Sequence, residues 1–283
     1  MAKTDIYEPD RNTTWCPGCG NFPLRKALAE SLAGLNLKPE DVAVITGIGQ
    51  AAKLPHYFRT NGYNGLHGRA LPPAVAAKIS NPGLTVIAAT GDGDGYGEGG
   101  NHLIHTIRRN PDIAHFVHNN QIYGLTKGQA SPTTYPGIET EVQPDGVTSE
   151  PFNPISFAVG MGASFIARSF VGNRDHLVKM MQAAIKHKGY ALLDILQPCV
   201  SFNKVNTYQW YSQRVYQLED DYDQTDIDAA FKKSREWGDQ IPIGIIYQQE
   251  RATFRESFPH LGNKIDIAGP AQEKVEKLID SFS

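Results

Sequence analysis

WCPGCGN, residues 15–21, sets Cys16 and Cys19 in a C-x2-C loop with Pro17, Gly18 and Gly20 between and beside them. Paired thiols at this spacing hold a metal or work as a redox couple. The chain has one more cysteine, Cys199, so it can offer at most three thiolates. Three cysteines in 283 residues make no disulfide framework. A reducing, cytoplasmic compartment is expected, and there the pair reads as a metal or redox device.

ATGDGDGYGEGGNH (89–102) holds six glycines in fourteen residues, together with Asp92 and Asp94. Glycine lets backbone N–H groups approach an anion, and a helix that follows offers its positive end. Carboxylates beside a phosphate cradle repel it unless a cation lies between, and Mg2+ takes oxygen ligands from both. Alone, the stretch also fits a glycine-rich turn with solvated carboxylates. Asn119 and Asn120 weigh towards the Mg-diphosphate site, because an amide oxygen is a neutral, hard ligand.

These residues need a frame. Apolar periodicity predicts helices over 21–35, 71–80, 99–110, 152–162 and 175–188, and buried strands over 41–49, 84–93, 113–120, 164–170 and 190–199. Continuous apolar strands alternating with helices predict an α/β fold with a doubly wound, mostly parallel sheet. Ligands bind at the carboxyl ends of such strands. GIGQAAK (47–53), GDGDGYGEGG (91–100), NNQIYGLTKGQ (119–129) and PCVSFN (198–203) each follow a strand and should share one rim, within reach of the cysteine loop. The alternation fades after about residue 200. We therefore divide the chain into a domain over 1–200 and a C-terminal extension over 201–283, an arm that wraps something such as another subunit.

Apolar residues are 40% and charged residues 20%, an ordinary globular balance. A net charge of −3 provides no global field for nucleic acid or anionic lipid. No run approaches the ~18 apolar residues of a membrane span, and MAKTDIYEPDRNTTW has no apolar core of a secretory signal. Neither nucleic acid nor membrane is an expected partner.

GDG followed by twenty-five residues and NN resembles the thiamine-diphosphate motif of the thiamine enzymes. The resemblance implies that Asp92, Asn120 and the carbonyl of Ile122 bind Mg2+. WCPGCGN, ITGIGQAAKLPHY (45–57), LHGRALP (66–72), GDGDGYGEGGNHLIHTIRRN (91–110), HNNQIYGLTKGQASPTT (118–134) and LQPCVSFN (196–203) follow in this order. Together they resemble the beta subunit of a 2-oxoacid:ferredoxin oxidoreductase, from about residue 8 to 205. That implies thiamine diphosphate, Mg2+ and an iron–sulfur cluster, serving coenzyme A-dependent oxidative decarboxylation of a 2-oxoacid with electrons to ferredoxin, or the reverse carboxylation. Ile48, Gly49, Gln50, Ala51 and His67 would contact the cofactor. Gly91, Asp92, Gly93 and Asp94 would cradle diphosphate and metal, and Gly124 and Leu125 would close the site. Lys53 would bind a substrate carboxylate, which favours 2-oxoglutarate over pyruvate. The activating Glu would come from an alpha subunit, so no catalytic residue is assigned in this chain.

Cys16, Cys19 and Cys199 match three of the family's four cluster ligands, and Gln50 stands at the fourth. Four outcomes stay open: a four-iron (4Fe-4S) cluster with a non-cysteine ligand such as His56 or water, a three-iron cluster, zinc, or free thiols. The competing functions are a non-redox thiamine decarboxylase half-enzyme and a zinc-stabilised binding module. The first leaves the cysteines unexplained and the second leaves the GDG…NN spacing unexplained. Arg108 and Arg109, a possible basic patch for an acidic ferredoxin, fit better as a solvated helix end.

Overall fold

The structure, a computed structural model, describes residues 4–9, 11–258 and 272–281. The parts of the predicted arm at 259–271 and 282–283 lie outside the described residues. Five buried strands match the predicted ones: β1 (Val42–Thr46), β3 (Thr85–Gly91), β4 (Ile113–Asn119), β5 (Phe165–Phe170) and β6 (Tyr190–Leu196). A short exposed strand, β2 (Asn61–Asn64), pairs with β1 at one edge. Two more come from the tail, β7 (Val215–Gln217) and β8 (Ile241–Gln248). The eight form one sheet in the order β2-β1-β3-β4-β6-β5-β8-β7. Neighbours are parallel except β5 and β8.

The tail is thus partly built into the sheet of the domain it follows. Pro242 and Gly244 obscure β8 as a strand. Pairing with β5 begins only at Gly244, so the missing N–H of Pro242 costs no bond on that side.

Alternate strand residues feed two cores. On one face, helices α1 (Asn21–Gly34) and α5 (Arg174–Lys186) bury Leu24, Leu28, Leu32, Leu177 and Met181 against Val42, Val44, Phe116 and Leu193. The other face carries α2 (Leu71–Ser80), α3 (Gly100–Arg109), α4 (Pro154–Gly160) and, from the tail, α7 (Ile227–Ser234). A short α6 (Tyr208–Ser212) precedes β7, and α8 (Gln272–Asp280) stands near the end of the chain. Among the described residues no helix is long and apolar enough to cross a membrane.

The chain leaves β1 for β2 on one side and leaves β3 for β4 on the other. The strand order therefore opens a crevice at the carboxyl ends of β1 and β3.

Three histidines are sealed in this frame. His115 sits between the Thr90 hydroxyl (3.0 Å) and the Tyr190 hydroxyl (2.7 Å), and His118 Nδ1 meets Asn21 Oδ1 at 2.8 Å. Burial lowers both to about 3, and lowers His176 to about 4, from 6.5. Below pH 6.5 the unfolded chain takes up protons that the folded chain refuses. Each histidine then removes about 1.4 kcal/mol of stability per pH unit as pH falls towards its folded value. Asp92, raised to about 6 by burial, works the opposite way between pH 3.8 and 6. Asp94 and Asp194, which burial also raises, act in the same direction as Asp92, and the three offset part of the loss. Urea unfolding midpoints should fall steadily from pH 6.5 to 5, and His115→Gln should make that slope shallower by about one proton. A slope in His115→Gln equal to that of the wild type would contradict the assignment.

Candidate functional site

Three chain reversals build the crevice. After β1, Thr46 Oγ1 donates to the Ala52 carbonyl (3.0 Å), and Asn64 Nδ2 donates to the Gly47 carbonyl (2.7 Å), tying down the loop that enters a 3-10 segment at Ala51–Tyr57. After β3, the glycine-rich stretch winds through a wide π-type turn at Gly93–Glu98 before α3 begins. Such turns often mark functional sites. After β4, Gln121 adopts a left-handed φ of 57°, an uncommon state for a non-glycine residue.

The reversals meet around one cavity of about 110 Å3. Ile48, Gly49, Gln50, Ala51, His67, Gly91, Asp92, Gly93, Asp94, Asn120, Ile122, Gly124 and Leu125 all line it. Tyr123 and Thr126, which sequence reasoning did not select, line it as well. Lys53 is half-buried on the adjoining 3-10 segment and is not part of the lining.

The electrostatics are unusual. Asp92 and Asp94 are both buried, yet no lysine or arginine lines the cavity. Asp92 Oδ2 accepts from Ser131 Oγ (2.5 Å) and Thr133 Oγ1 (2.6 Å). Burial outweighs these bonds and pushes its carboxyl up to about 6. Asp94 is raised by burial too, partly offset by the N–H groups of Gly68 (2.6 Å) and Ile48 (3.2 Å), both on Oδ1. Its Oδ2 is buried without a partner, and His67 Nε2 stands 4.0 Å from Oδ1. Asn120 Oδ1 accepts from the Ile122 N–H at 3.0 Å and keeps a second lone pair. The desolvated Asp92 carboxylate and the Asn120 amide oxygen, both in the lining, are hard oxygen donors, which suit a divalent cation such as Mg2+. A diphosphate alone would be repelled here. Together with a cation it would be held.

A second cavity adjoins the first. Cys16, Cys19 and Cys199 line it, and Gln50, Asn120 and Gly124 belong to both walls. All three cysteines are free. Burial raises the Cys19 thiol most, and the neighbouring Cys199 and Cys16 raise it further, so thiolates here would repel one another without a cation. The Cys16–Cys19 loop is closed by Cys19 N–H on the Cys16 carbonyl (3.0 Å), and Trp15 Nε1 donates to the Gln50 carbonyl (2.9 Å). Gly20 is required by close approach, since a Cβ there would lie 2.6 Å from Gln197 Cγ. Among the described residues no three Cys, His, Asp or Glu side chains converge as a single metal ion would need. His56, weighed as a fourth ligand, is exposed and does not line this cavity.

A separate buried polar cluster, three of whose residues line another small cavity, was not suggested by the sequence. Asp194 accepts from Tyr96 Oη (2.9 Å), Asn119 Nδ2 (3.0 Å) and Arg168 Nε (3.4 Å), all buried. Asp and Arg within apolar strands were the available signal, since buried charges need partners.

Fold and cleft together define a thiamine-diphosphate-binding domain. The family model described as thiamine pyrophosphate enzyme, C-terminal TPP binding domain, matches residues 45–195. A second, described for the C-terminal part of the pyruvate ferredoxin oxidoreductase beta chain, matches 199–263. The chain is 44% identical over 249 residues to a 2-oxoacid:ferredoxin oxidoreductase subunit beta of a Sulfolobus species, covering 83% of this chain and 82% of that one. It is 42% identical over 276 residues to a 2-oxoacid:ferredoxin oxidoreductase 1, subunit beta, of Aeropyrum pernix, covering 93% and 87%. A solved 2-oxoglutarate:ferredoxin oxidoreductase from Magnetococcus marinus, with 2-oxoglutarate, coenzyme A and succinyl-CoA bound, superposes with a TM-score of 0.91 at 32% identity, covering 98% and 95%. The chain belongs to the beta subunits of the 2-oxoacid:ferredoxin oxidoreductases.

Gly47 tests the cleft directly. A Cβ there would lie 2.2 Å from Asp94 Oδ1, inside a packed wall. Gly47→Ala should destabilise the protein by about 1–3 kcal/mol and weaken thiamine diphosphate binding by moving Asp94. Thermal unfolding and calorimetric titration would check both, and wild-type values in each would contradict the packing described.

Proposed function

We propose that this chain carries thiamine diphosphate–Mg2+ and an iron–sulfur cluster. The enzyme it serves would join a 2-oxoacid's acyl group to coenzyme A with loss of CO2 and pass electrons to ferredoxin, or run the reverse carboxylation. One observation carries the reading: an acid-and-glycine cleft and a three-cysteine cavity share a wall at Gln50, Asn120 and Gly124. Bound there, the cofactor would supply carbanion stabilisation and the cluster one-electron transfer.

The chain's own residues position and shield. Asp92, Asn120 Oδ1 and the Ile122 carbonyl are proposed to hold Mg2+. Gly91 and Gly93 let backbone approach the diphosphate, and Asp94 pins the turns at Ile48 and Gly68 around it. His67, Gly49, Ala51, Gly124 and Leu125 flank the cofactor. Lys53 is proposed to bind the distal carboxylate of 2-oxoglutarate, favoured over pyruvate. A solved relative holding 2-oxoglutarate supports that choice, although the C-terminal family model is described for pyruvate. No glutamate lines the cleft among the described residues. Ile48 and Leu125 are exposed on its rim, and Phe202 is exposed beside the cysteine cavity. Both facts support an alpha subunit lying over the rim and bringing the activating Glu.

Cys16, Cys19 and Cys199 are proposed to hold a four-iron cluster. Water or hydroxide on the fourth iron is better supported than His56, which stands off the cavity. The test is anaerobic purification with the co-expressed alpha subunit, then iron and sulfide quantification and low-temperature EPR of the reduced complex. Near-stoichiometric four-iron signal is expected. In Gln50→Cys the reduction potential should shift, because ligand type and cluster charge tune it. Colourless protein that retains thiamine diphosphate would instead make this a non-redox thiamine enzyme.

A further inference from the structure

The turn Ser131-Pro132-Thr133-Thr134 takes no part in the mechanism above, yet it is fixed with unusual completeness. Thr134 Oγ1 donates to the Gln121 carbonyl (2.6 Å) and accepts from the Ser131 N–H (2.8 Å). Gln121 Nε2 returns a bond to the Thr133 carbonyl (3.1 Å), and the Pro132 carbonyl accepts from Phe152 N–H (2.7 Å). Every hydroxyl-bearing residue of the turn is buried. Thus clamped to the end of β4, the turn aims two hydroxyls at one atom, Asp92 Oδ2.

We infer that Ser131 and Thr133 are positioning residues that restrict Asp92 to one-oxygen metal coordination and so select Mg2+ over larger cations. The inference rests on the proposed role of Asp92 as a metal ligand. With Oδ2 engaged by both donors, Oδ1 is the oxygen left for the ion. Mg2+ demands near-octahedral geometry from ligands held at short range, whereas Ca2+ accepts carboxylates in either one- or two-oxygen mode. Groups that orient a ligand typically change metal affinity by about 10–100-fold when removed. A turn that merely satisfied a buried carboxylate would not discriminate between the two cations.

The test uses the assembled complex with thiamine diphosphate. Mn2+, standing in for Mg2+, is titrated by EPR of the free ion, and Ca2+ by calorimetry. Thr133→Val and Ser131→Ala should each weaken Mn2+ about tenfold and weaken Ca2+ less, while Thr133→Ser should bind as wild type. Wild-type Mn2+ affinity in both deletion variants would overturn the inference, as would equal loss of the two cations. Asp92→Asn separates the levels. If it binds Mn2+ as tightly as wild type, the ligand role of Asp92 falls. If it loses Mn2+ while the hydroxyl variants do not, only the positioning role falls.

Discussion

Asp92 and Asp94 are buried at the carboxyl end of β3 in a cleft whose lining contains no lysine or arginine. Removing two carboxylates from water without a cation is costly, and the raised Asp92 shows that the protein does not fully offset it. The surrounding structure is arranged around that charge. Backbone N–H groups of Ile48 and Gly68 turn towards Asp94, and the 131–134 turn delivers hydroxyls to Asp92. What remains in the cleft lining is the Asp92 carboxylate and the Asn120 amide oxygen, an arrangement that a divalent cation with a diphosphate would complete.

The sheet makes this convergence possible. Parallel strands place all their carboxyl ends on one rim, so loops distant in sequence become neighbours. Cys16 and Cys19 enter from the segment before α1, and Cys199 from the end of β6. Gln50 joins them from the loop after β1. Because Gln50 also lines the acidic cleft, the position that departs from the family's cysteine pattern is a shared wall of the two cavities. A cluster beside the cofactor would leave a short path for single electrons.

The central elements were legible in the sequence because their signals are local. Buried runs such as VAVIT and YALLDIL announce parallel strands, and GDG with NN announces a diphosphate and metal site. β8 was not legible, since Pro242 and Gly244 argue against a strand until its pairing range with β5 is known. The hydroxyl contacts to Asp92 bridge about forty residues of sequence, and SPTT alone gives no reason to connect them. The Arg168–Asp194 pair was hidden for a similar reason, because its partners come from different strands. Fold and rim were therefore readable from pattern, whereas the orientation of each carboxylate depends on tertiary contacts.

The most direct measurement is a structure of the complex with the alpha subunit, prepared with thiamine diphosphate and Mg2+ under anaerobic conditions. The account predicts the diphosphate between the 91–94 and 120–125 segments, with Mg2+ on Asp92, Asn120 and the Ile122 carbonyl, and iron beside Cys16, Cys19 and Cys199. Diphosphate bound elsewhere, or the acidic cleft empty at saturating cofactor, would contradict it.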